Sequence, residues 1–258
     1  MTSQKPGHIW DDYRPEDYLW ARLPVFARRV RRAQDIVAEW LEQTKKPYIA
    51  VSGGKDSVAM CHLVQSVAGR PLPVMWHDSG VEWPETETAL ERLHSMGIIS
   101  EFHIVRPDTD VLHLKRQQIA GAISAAQKDH IALFEPIQRF VASHGFDGVS
   151  LGLRMEEGRG RKLDGIKHGP VFRKKDGLLR CIPVYAWTWQ DVYAYIAVHR
   201  LPLHPIYSAP LLQLEHRGRI RLSWWASTDH HRHCEIDWVR DNFPDIYHRL
   251  RSEIPEVT

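Results

Sequence analysis

Short runs of β-favouring residues alternate with segments in which apolar residues recur at helical spacing. Strands are predicted at 48–52, 74–77, 98–105 and 147–154, and helices at 25–46, 56–69 and 84–97. Residues 115–145 are predicted to be mainly helical, and 181–202 to form a strand or loop followed by a helix. Pro47 is predicted to end the first helix, and Gly69 and Gly97 to close the next two. This alternation is typical of an α/β fold with a doubly wound, mostly parallel sheet and helices on both faces.

The pattern divides the chain into three parts. We predict an N-terminal arm and helix at 1–46, an α/β domain at 47–207, and a C-terminal extension rich in basic and aromatic residues at 208–258. The arm is aromatic and polar without a clear period, which favours packing against the main body. Both extensions are expected to be at least partly helical.

Composition narrows the class of protein. The chain has 258 residues, 43% of them apolar, which is enough for a sizeable core, and its formal net charge is only +2. Near balance of charge argues against a general electrostatic nucleic-acid binder. No apolar run approaches the roughly 20 residues of a membrane span, and the N-terminus lacks a signal-peptide pattern. The cysteines are Cys61, Cys181 and Cys234, whose spacing and odd number favour a reducing, cytoplasmic setting.

Residues 52–57, SGGKDS, stand where the first strand ends and a helix begins. Such a loop directs backbone N–H groups and the positive end of the helix dipole at one point, which suits a phosphate. Gly53 and Gly54 permit close approach of an anion, and Ser52 and Ser57 can donate hydroxyl hydrogen bonds. Lys55 adds charge or points to solvent. Asp56 caps the helix or helps hold a nucleotide-bound metal.

The hexapeptide resembles the PP-loop of the ATP pyrophosphatase superfamily, and three further stretches are similar to motifs of its phosphoadenosine phosphosulfate (PAPS) reductase-like family, which includes the ATP sulfurylase small subunit. HDSGVEWPET at 77–86 resembles DTGxxFPET. LGLRMEEGRGR at 151–161 is similar to GLRxxxSxxR, and residues 182–207 resemble the family's W-x-x-x-D-V-W and L-P-x-x-P-L-Y stretch. The resemblance covers residues 48–207.

This resemblance implies a protein that binds ATP or a related adenine nucleotide with Mg²⁺ and cleaves between the α and β phosphates to adenylate an acceptor, in sulfur metabolism or nucleic-acid modification. The implied residues fall into three groups. They are Asp56, Arg154 and Lys55 as catalytic groups; Ser52, Gly53, Gly54, Lys55, Asp56, Ser57, Asp78, Gly80 and Gly152 as nucleotide-binding groups; and Arg154 and Arg161 as substrate-binding groups. No residue is assigned as a metal ligand.

The sequence also departs from the family. The C-terminal ECGLH-type motif of the reductases is missing, and RLSWWAST at 221–228 stands where many relatives carry GCxxC. Two alternatives therefore stay open. One is a thiol-dependent reductase of a sulfonucleotide that uses Cys234, next to histidines that could activate it. The other is a non-catalytic nucleotide sensor or partner-binding subunit.

Two basic segments suggest a surface for a nucleic acid or protein partner. Arg28–Arg32 places four arginines on the first helix, and 218–234 mixes basic with aromatic residues. Such surfaces suit nucleic acid or an acidic protein partner. The alternative is an ordinary solvated face. The pattern does not predict the oligomeric state.

Overall fold

The computed structural model describes residues 10–208, 217–220, 222 and 240–254, and within these residues a six-stranded sheet forms the centre. The strands are β1 (Pro47–Val51), β2 (Val74–His77), β3 (Phe102–Val105), β4 (Gly148–Leu151), β5 (Val171–Arg173) and β6 (Leu179–Cys181). Their spatial order is β3-β2-β1-β4-β6-β5. All neighbours pair in parallel except β5, which runs antiparallel to β6. The predicted α/β class is confirmed.

Helices connect and flank these strands. They are α1 (Pro15–Ala21), α2 (Pro24–Glu42), α3 (Lys55–Ala68), α4 (Pro84–Ser95), α5 (Val111–Ile119), α6 (Ala125–Asp129), α7 (Glu135–His144), α8 (Arg159–His168), α9 (Trp189–His199) and α10 (Pro244–Glu253), with a π-helical turn at His130–Phe134 and 3₁₀ turns at Met155–Glu157, Pro205–Ser208 and Arg217–Arg219. None of the described helices is both long enough and apolar enough to cross a bilayer.

Most predicted elements are confirmed, with shifted ends. The first helix ends at Glu42 rather than 46, and Pro47 begins β1 instead of ending the helix. Gly69 caps α3 in the left-handed conformation, as its position predicts. The prediction missed α1, α8 and β5. Strand β5 has three residues, too few for a periodic signal, and forms by pairing with β6 across the Lys174–Gly177 turn.

Strand β1 lies in the middle of the sheet and is buried on both faces, as expected of a parallel strand. Ile49 and Val51 face the larger core cluster, which includes residues of α2, α3 and α9. Tyr48 faces a smaller cluster with Phe140 and Phe146. This packing fixes the position at which β1 ends and the 52–57 loop begins.

The N-terminal arm packs on α9. Trp20 Nε1 donates a 2.9 Å hydrogen bond to Asp191, a fully buried carboxylate near the start of α9. Arg29 of α2 forms an ion pair with the same carboxylate at 2.6 Å. Arg217, from the C-terminal segment, donates to both oxygens of buried Asp17 in α1. The described parts of both extensions are thus tied to the α/β body.

Candidate nucleotide site

The 52–57 loop lies where the chain direction across the sheet reverses. From β1 the chain continues to β2 on one side, whereas β4 pairs with β1 on the other side. In open α/β sheets, ligands bind at the carboxyl ends of the strands at such a switch point. The loop and the segment after β4, which carries Gly152 and Arg154, meet at this place.

Two serines close the loop on itself. The Ser52 N–H donates to Ser57 Oγ at 3.1 Å, and Ser57 Oγ donates to the Gly54 carbonyl at 2.9 Å. Ser52 Oγ lies 3.1 Å from Ser57 Oγ. The loop therefore holds its shape through its own hydrogen bonds, at the N-terminus of the 14-residue helix α3.

Three glycines allow close packing around the loop, and the contact is tightest at Gly53 and Gly152. Gly53 has φ +74°, and a Cβ there would lie 2.8 Å from Thr86 Cγ2. A Cβ on Gly54 would lie 3.2 Å from the Tyr207 hydroxyl. A Cβ on Gly152 would lie 2.7 Å from Ser57 Cα, so Gly152 lets the end of β4 approach the first turn of α3.

Three charged residues form a compact network under the loop. Asp56 accepts from Lys55 Nζ at 3.0 Å on one oxygen and from Arg154 Nε at 2.5 Å on the other. The Lys55 and Arg154 side chains are each only 1% exposed. Burial alone would raise the pKa of Asp56, but the two cations outweigh it and lower the pKa below its usual value. Asp56 is thus held ionised between two buried cations.

Lys55 points inward. Its Nζ also donates to the Ile220 carbonyl at 3.1 Å and lies 5.1 Å from the centroid of the Tyr207 ring. The Lys55 backbone N–H donates to the Tyr207 hydroxyl at 3.1 Å. The alternative of a solvent-facing lysine is therefore wrong. Asp56 is also not a helix cap, because Gly54 holds the N-cap position without a side-chain bond.

A second layer of charge surrounds Arg154. Its Nη1 donates to Glu156 at 2.5 Å, and its backbone N–H donates to Glu157 at 2.9 Å. Glu157 also accepts from Arg161, whose side chain is 42% exposed. Three cations and three carboxylates are therefore interleaved. Arg161 is the most exposed of the three cations.

An open cleft of about 230 Å³ adjoins this network. Its lining residues are Ser52, Gly54, Asp56, Ser57, Gly152, Leu153, Glu157, Arg161, Tyr207 and Leu222. Six of the residues predicted from the sequence thus line one cleft. Gly53 lies between lining residues of the loop, and Lys55 and Arg154 are bonded to the lining residue Asp56. The other four lining residues, Leu153, Glu157, Tyr207 and Leu222, were not predicted as site residues. The sequence carries a signal for Tyr207, because it ends the stretch that resembles L-P-x-x-P-L-Y.

Asp78 and Gly80 lie apart from the lining of this cleft. Asp78 accepts from the Gly80 N–H at 2.9 Å and from Arg106 Nε at 2.7 Å. Arg249 of α10 donates to the Gly80 carbonyl at 3.3 Å. Their assignment to nucleotide binding stays a prediction.

The remaining predicted features fall partly outside the described residues. Cys234 lies there, as does most of 218–234. Cys61 and Cys181 are buried, and burial raises the pKa of Cys61 to about 12. On α2, Arg28, Arg31 and Arg32 are exposed, whereas Arg29 is bound to Asp191.

The residues at the loop fit a polyphosphate better than a protein-held cation. Ser52, Gly54 and Ser57 line the cleft at the N-terminus of α3, a position that suits anionic oxygens. Both oxygens of Asp56 are already bonded to cations. Over 10–208 and the shorter described segments, no group of three or more His, Cys, Asp or Glu side chains is arranged to hold a metal ion. Mg²⁺ stays a prediction that depends on the nucleotide's own phosphates.

A family model for the phosphoadenosine phosphosulfate reductase domain matches residues 46–214. The chain belongs to this family. The matched PAPS reductase domain includes the 52–57 loop, Arg154, Arg161 and Tyr207. The resemblance inferred from the motifs is confirmed.

Curated relatives of this PAPS reductase-domain protein are distant. It is 26% identical to an uncharacterized protein of Methanocaldococcus jannaschii, with 79% of this chain and 42% of the relative covered. It is 27% identical to phosphoadenosine 5'-phosphosulfate reductase of Xanthomonas campestris, with 68% of this chain and 72% of the relative covered. It is 26% identical to sulfate adenylyltransferase subunit 2 of Rhodopseudomonas palustris, with 74% of this chain and 65% of the relative covered. The chain therefore spans less than two thirds of the first and third relatives. The two named relatives are enzymes.

Solved structures show the same fold at low identity. The PAPS reductase of Candida auris, a phosphate complex, superimposes with a TM-score of 0.57 at 16% identity, covering 79% of this chain and 96% of that one. Candida glabrata FMN adenylyltransferase, in complex with FAD and inorganic pyrophosphate, gives 0.55 at 13% identity, covering 74% and 65%.

Proposed function

We propose that the protein binds ATP with its triphosphate in the 52–57 loop and transfers the adenylyl group to an acceptor, releasing pyrophosphate. The observation that carries the proposal is the loop itself, which is held in shape by its serines, closely packed through glycines, and backed by buried Lys55 and Arg154. A relative named as a sulfate adenylyltransferase subunit and a fold shared with an FMN adenylyltransferase support this reaction class.

The reaction needs no covalent enzyme intermediate. An acceptor oxygen attacks the α phosphorus and forms a new P–O bond while the α–β bridging P–O bond breaks. The electron pair of that bond leaves with pyrophosphate. Positioning and stabilisation of charge on the leaving group carry such a step. Among the three cations, Arg161 is the most exposed, so its guanidinium can turn to a phosphate oxygen at the lowest desolvation cost. Glu157, whose side chain is 10% exposed, would keep the Arg154 backbone N–H as its donor.

Lys55 and Arg154 act differently. Asp56 holds both, so they supply a fixed field rather than mobile contacts. A fixed field costs no reorganisation when charge develops. We assign Lys55, Asp56 and Arg154 this electrostatic role and assign Arg161 direct contact with the leaving phosphates.

The test is pyrophosphate release from ATP with candidate acceptors, comparing wild type with Arg161→Ala and Arg159→Ala. Both arginines belong to α8, but Arg159 does not line the cleft. Arg161→Ala is expected to lower kcat/KM for ATP by about 10–100-fold, the loss of one charge-assisted contact. Arg159→Ala should stay close to wild type. Equal activity of all three proteins would contradict the role of Arg161, and absence of ATP binding by wild type would contradict the proposal.

The reductase alternative has separate support, because a relative is named as a PAPS reductase. It requires Cys234. A Cys234→Ser variant that keeps full turnover with any substrate found would exclude thiol chemistry. Loss of turnover with retained nucleotide binding would favour it. The match to a named subunit also makes a protein partner a proposal, with the exposed arginines of α2 as its candidate surface.

A further inference from the structure

A second cavity lies beside the nucleotide cleft, against the three-stranded edge formed by β4, β6 and β5. Its volume is about 90 Å³. The lining residues are Leu151, Leu153, Arg154, Met155, Arg161, Gly169, Phe172, Lys174, Arg180, Ile182 and Tyr185. Leu153 and Arg161 line both the cavity and the cleft, so the two spaces are adjacent. A group bound in the cavity would lie next to the phosphates proposed for the cleft.

The charge of the cavity wall has one sign. Arg154, Arg161, Lys174 and Arg180 line it, and none of the lining residues is a carboxylate. Arg180 is paired with Asp176 at 2.5 Å, outside the cavity. Within the described part of the chain, Lys174 forms no ion pair. Lys174 is exposed and acts on Asp176 only beyond ion-pair distance, so its ammonium can turn to an anionic ligand in the cavity.

The remaining wall is apolar. Leu151, Met155 and Ile182 contribute aliphatic surface, and Phe172 stacks on His168 with ring centroids 5.4 Å apart. A bare inorganic anion would leave this surface without a partner. A ligand with an apolar body and one anionic end matches both parts of the wall.

We propose that this cavity binds the acceptor of the adenylyl group, and that the acceptor is a small carboxylate with an apolar body. The inference rests on the proposed adenylyl transfer. A carboxylate oxygen would form the P–O bond to the α phosphorus as the α–β bridging bond breaks, giving an acyl adenylate and pyrophosphate. No proton transfer or redox partner is needed, because the carboxylate attacks as an anion.

Benzoate is the probe, titrated without ATP into the full chain and followed by ligand-observed NMR. Benzyl alcohol lacks the charge and acetate lacks the apolar body. Benzoate is expected to bind about tenfold more tightly than either, since each control removes one of two matched interactions. Equal affinity for benzoate and acetate, or no benzoate binding, would overturn the proposal.

Adjacent lysines supply a matched pair of variants. Both lysines are exposed, but Lys174 lines the cavity and Lys175 does not. Lys174→Glu should weaken benzoate binding about tenfold and Lys174→Gln about threefold, while Lys175→Glu stays within about twofold. Equal effects of the two Glu variants would show that benzoate binds elsewhere and would overturn the assignment.

ATP titration of the same variants separates this inference from the proposed function. Lys174→Gln, which adds no negative charge beside the phosphates, should bind ATP within about twofold of wild type, because Lys174 does not line the cleft. If benzoate binds as expected but wild type does not bind ATP, the adenylyl-transfer role fails while the carboxylate site stands. If ATP binds and benzoate does not, the cavity assignment fails alone.

Discussion

Two neighbouring strands end in similar loops, yet the two loops differ in how closely they are packed. After β1 come Ser52 and Gly53, and after β2 come Ser79 and Gly80, with a helix following in each case. Both glycines have positive φ, +74° and +81°. A Cβ on Gly53 would collide with Thr86, whereas a Cβ on Gly80 would meet nothing within 4 Å. A glycine after a strand thus identifies a turn, and only its surroundings show whether the turn is closely packed.

The aspartates of the two loops differ in the same way. Asp56 lies between the buried cations Lys55 and Arg154, but Asp78 is paired with Arg106, whose side chain is 60% exposed. Buried cations that lose their counter-charge are costly, while exposed pairs contribute little. The loop after β1 therefore rests on a buried charge network, and the loop after β2 is expected to tolerate change.

Asp56→Asn is expected to have the largest effect on stability. It leaves Lys55 and Arg154 without their shared carboxylate and should lower the free energy of unfolding by about 3–5 kcal/mol. Urea unfolding at pH 7 measures this change. A loss below about 1 kcal/mol would mean that the network is not the internal support described here.

The difference in unfolding free energy between wild type and Asp56→Asn should depend on pH. The folded-state pKa of Asp56 is lowered, so its stabilisation is fully present above the unfolded value of 3.8 and disappears as the pH falls through the lower folded value. The gap in unfolding free energy between wild type and Asp56→Asn should stay constant from pH 7 to pH 5 and shrink below pH 4. A gap that shrinks already between pH 7 and pH 5 would contradict an ionised Asp56.

Gly53→Ala should have the next largest effect, with Gly69→Ala as its matched control. The two glycines flank α3, both with positive φ, but a Cβ on Gly69 has no neighbour within 4 Å. Both variants incur the left-handed backbone strain, about 1–2 kcal/mol. Crowding against buried Thr86 should cost Gly53→Ala about 1–3 kcal/mol more in thermal or urea unfolding. Equal losses would show that the loop has room to shift.

The smallest effect is expected for Asp78→Asn. Its partner Arg106 is mostly exposed, so the ion pair should contribute less than about 1 kcal/mol to the free energy of unfolding. The same urea assay applies. A loss as large as that of Asp56→Asn would remove the contrast between the two loops.

The local pattern predicted much of the sheet and the loop, because both depend on neighbours in sequence. Strand β1, helix α3 and the Gly69 cap follow from periodicity and glycine placement. The pairing of Asp56 with Arg154 joins residues 98 positions apart, and the bond from the Lys55 N–H to Tyr207 spans 152. Only the folded chain brings these together, so the burial of Lys55 was not predicted. The cavity at β5 was missed for the same reason.

The most direct test of the central claim is an equilibrium titration of ATP into wild type, Gly53→Ala and Gly69→Ala at a temperature where all three are folded. If the 52–57 loop binds the triphosphate, Gly53→Ala should bind ATP at least about tenfold more weakly, because a Cβ that meets Thr86 displaces the loop from the N-terminus of α3. Gly69→Ala should bind as wild type does. Equal affinities for all three proteins would contradict the claim.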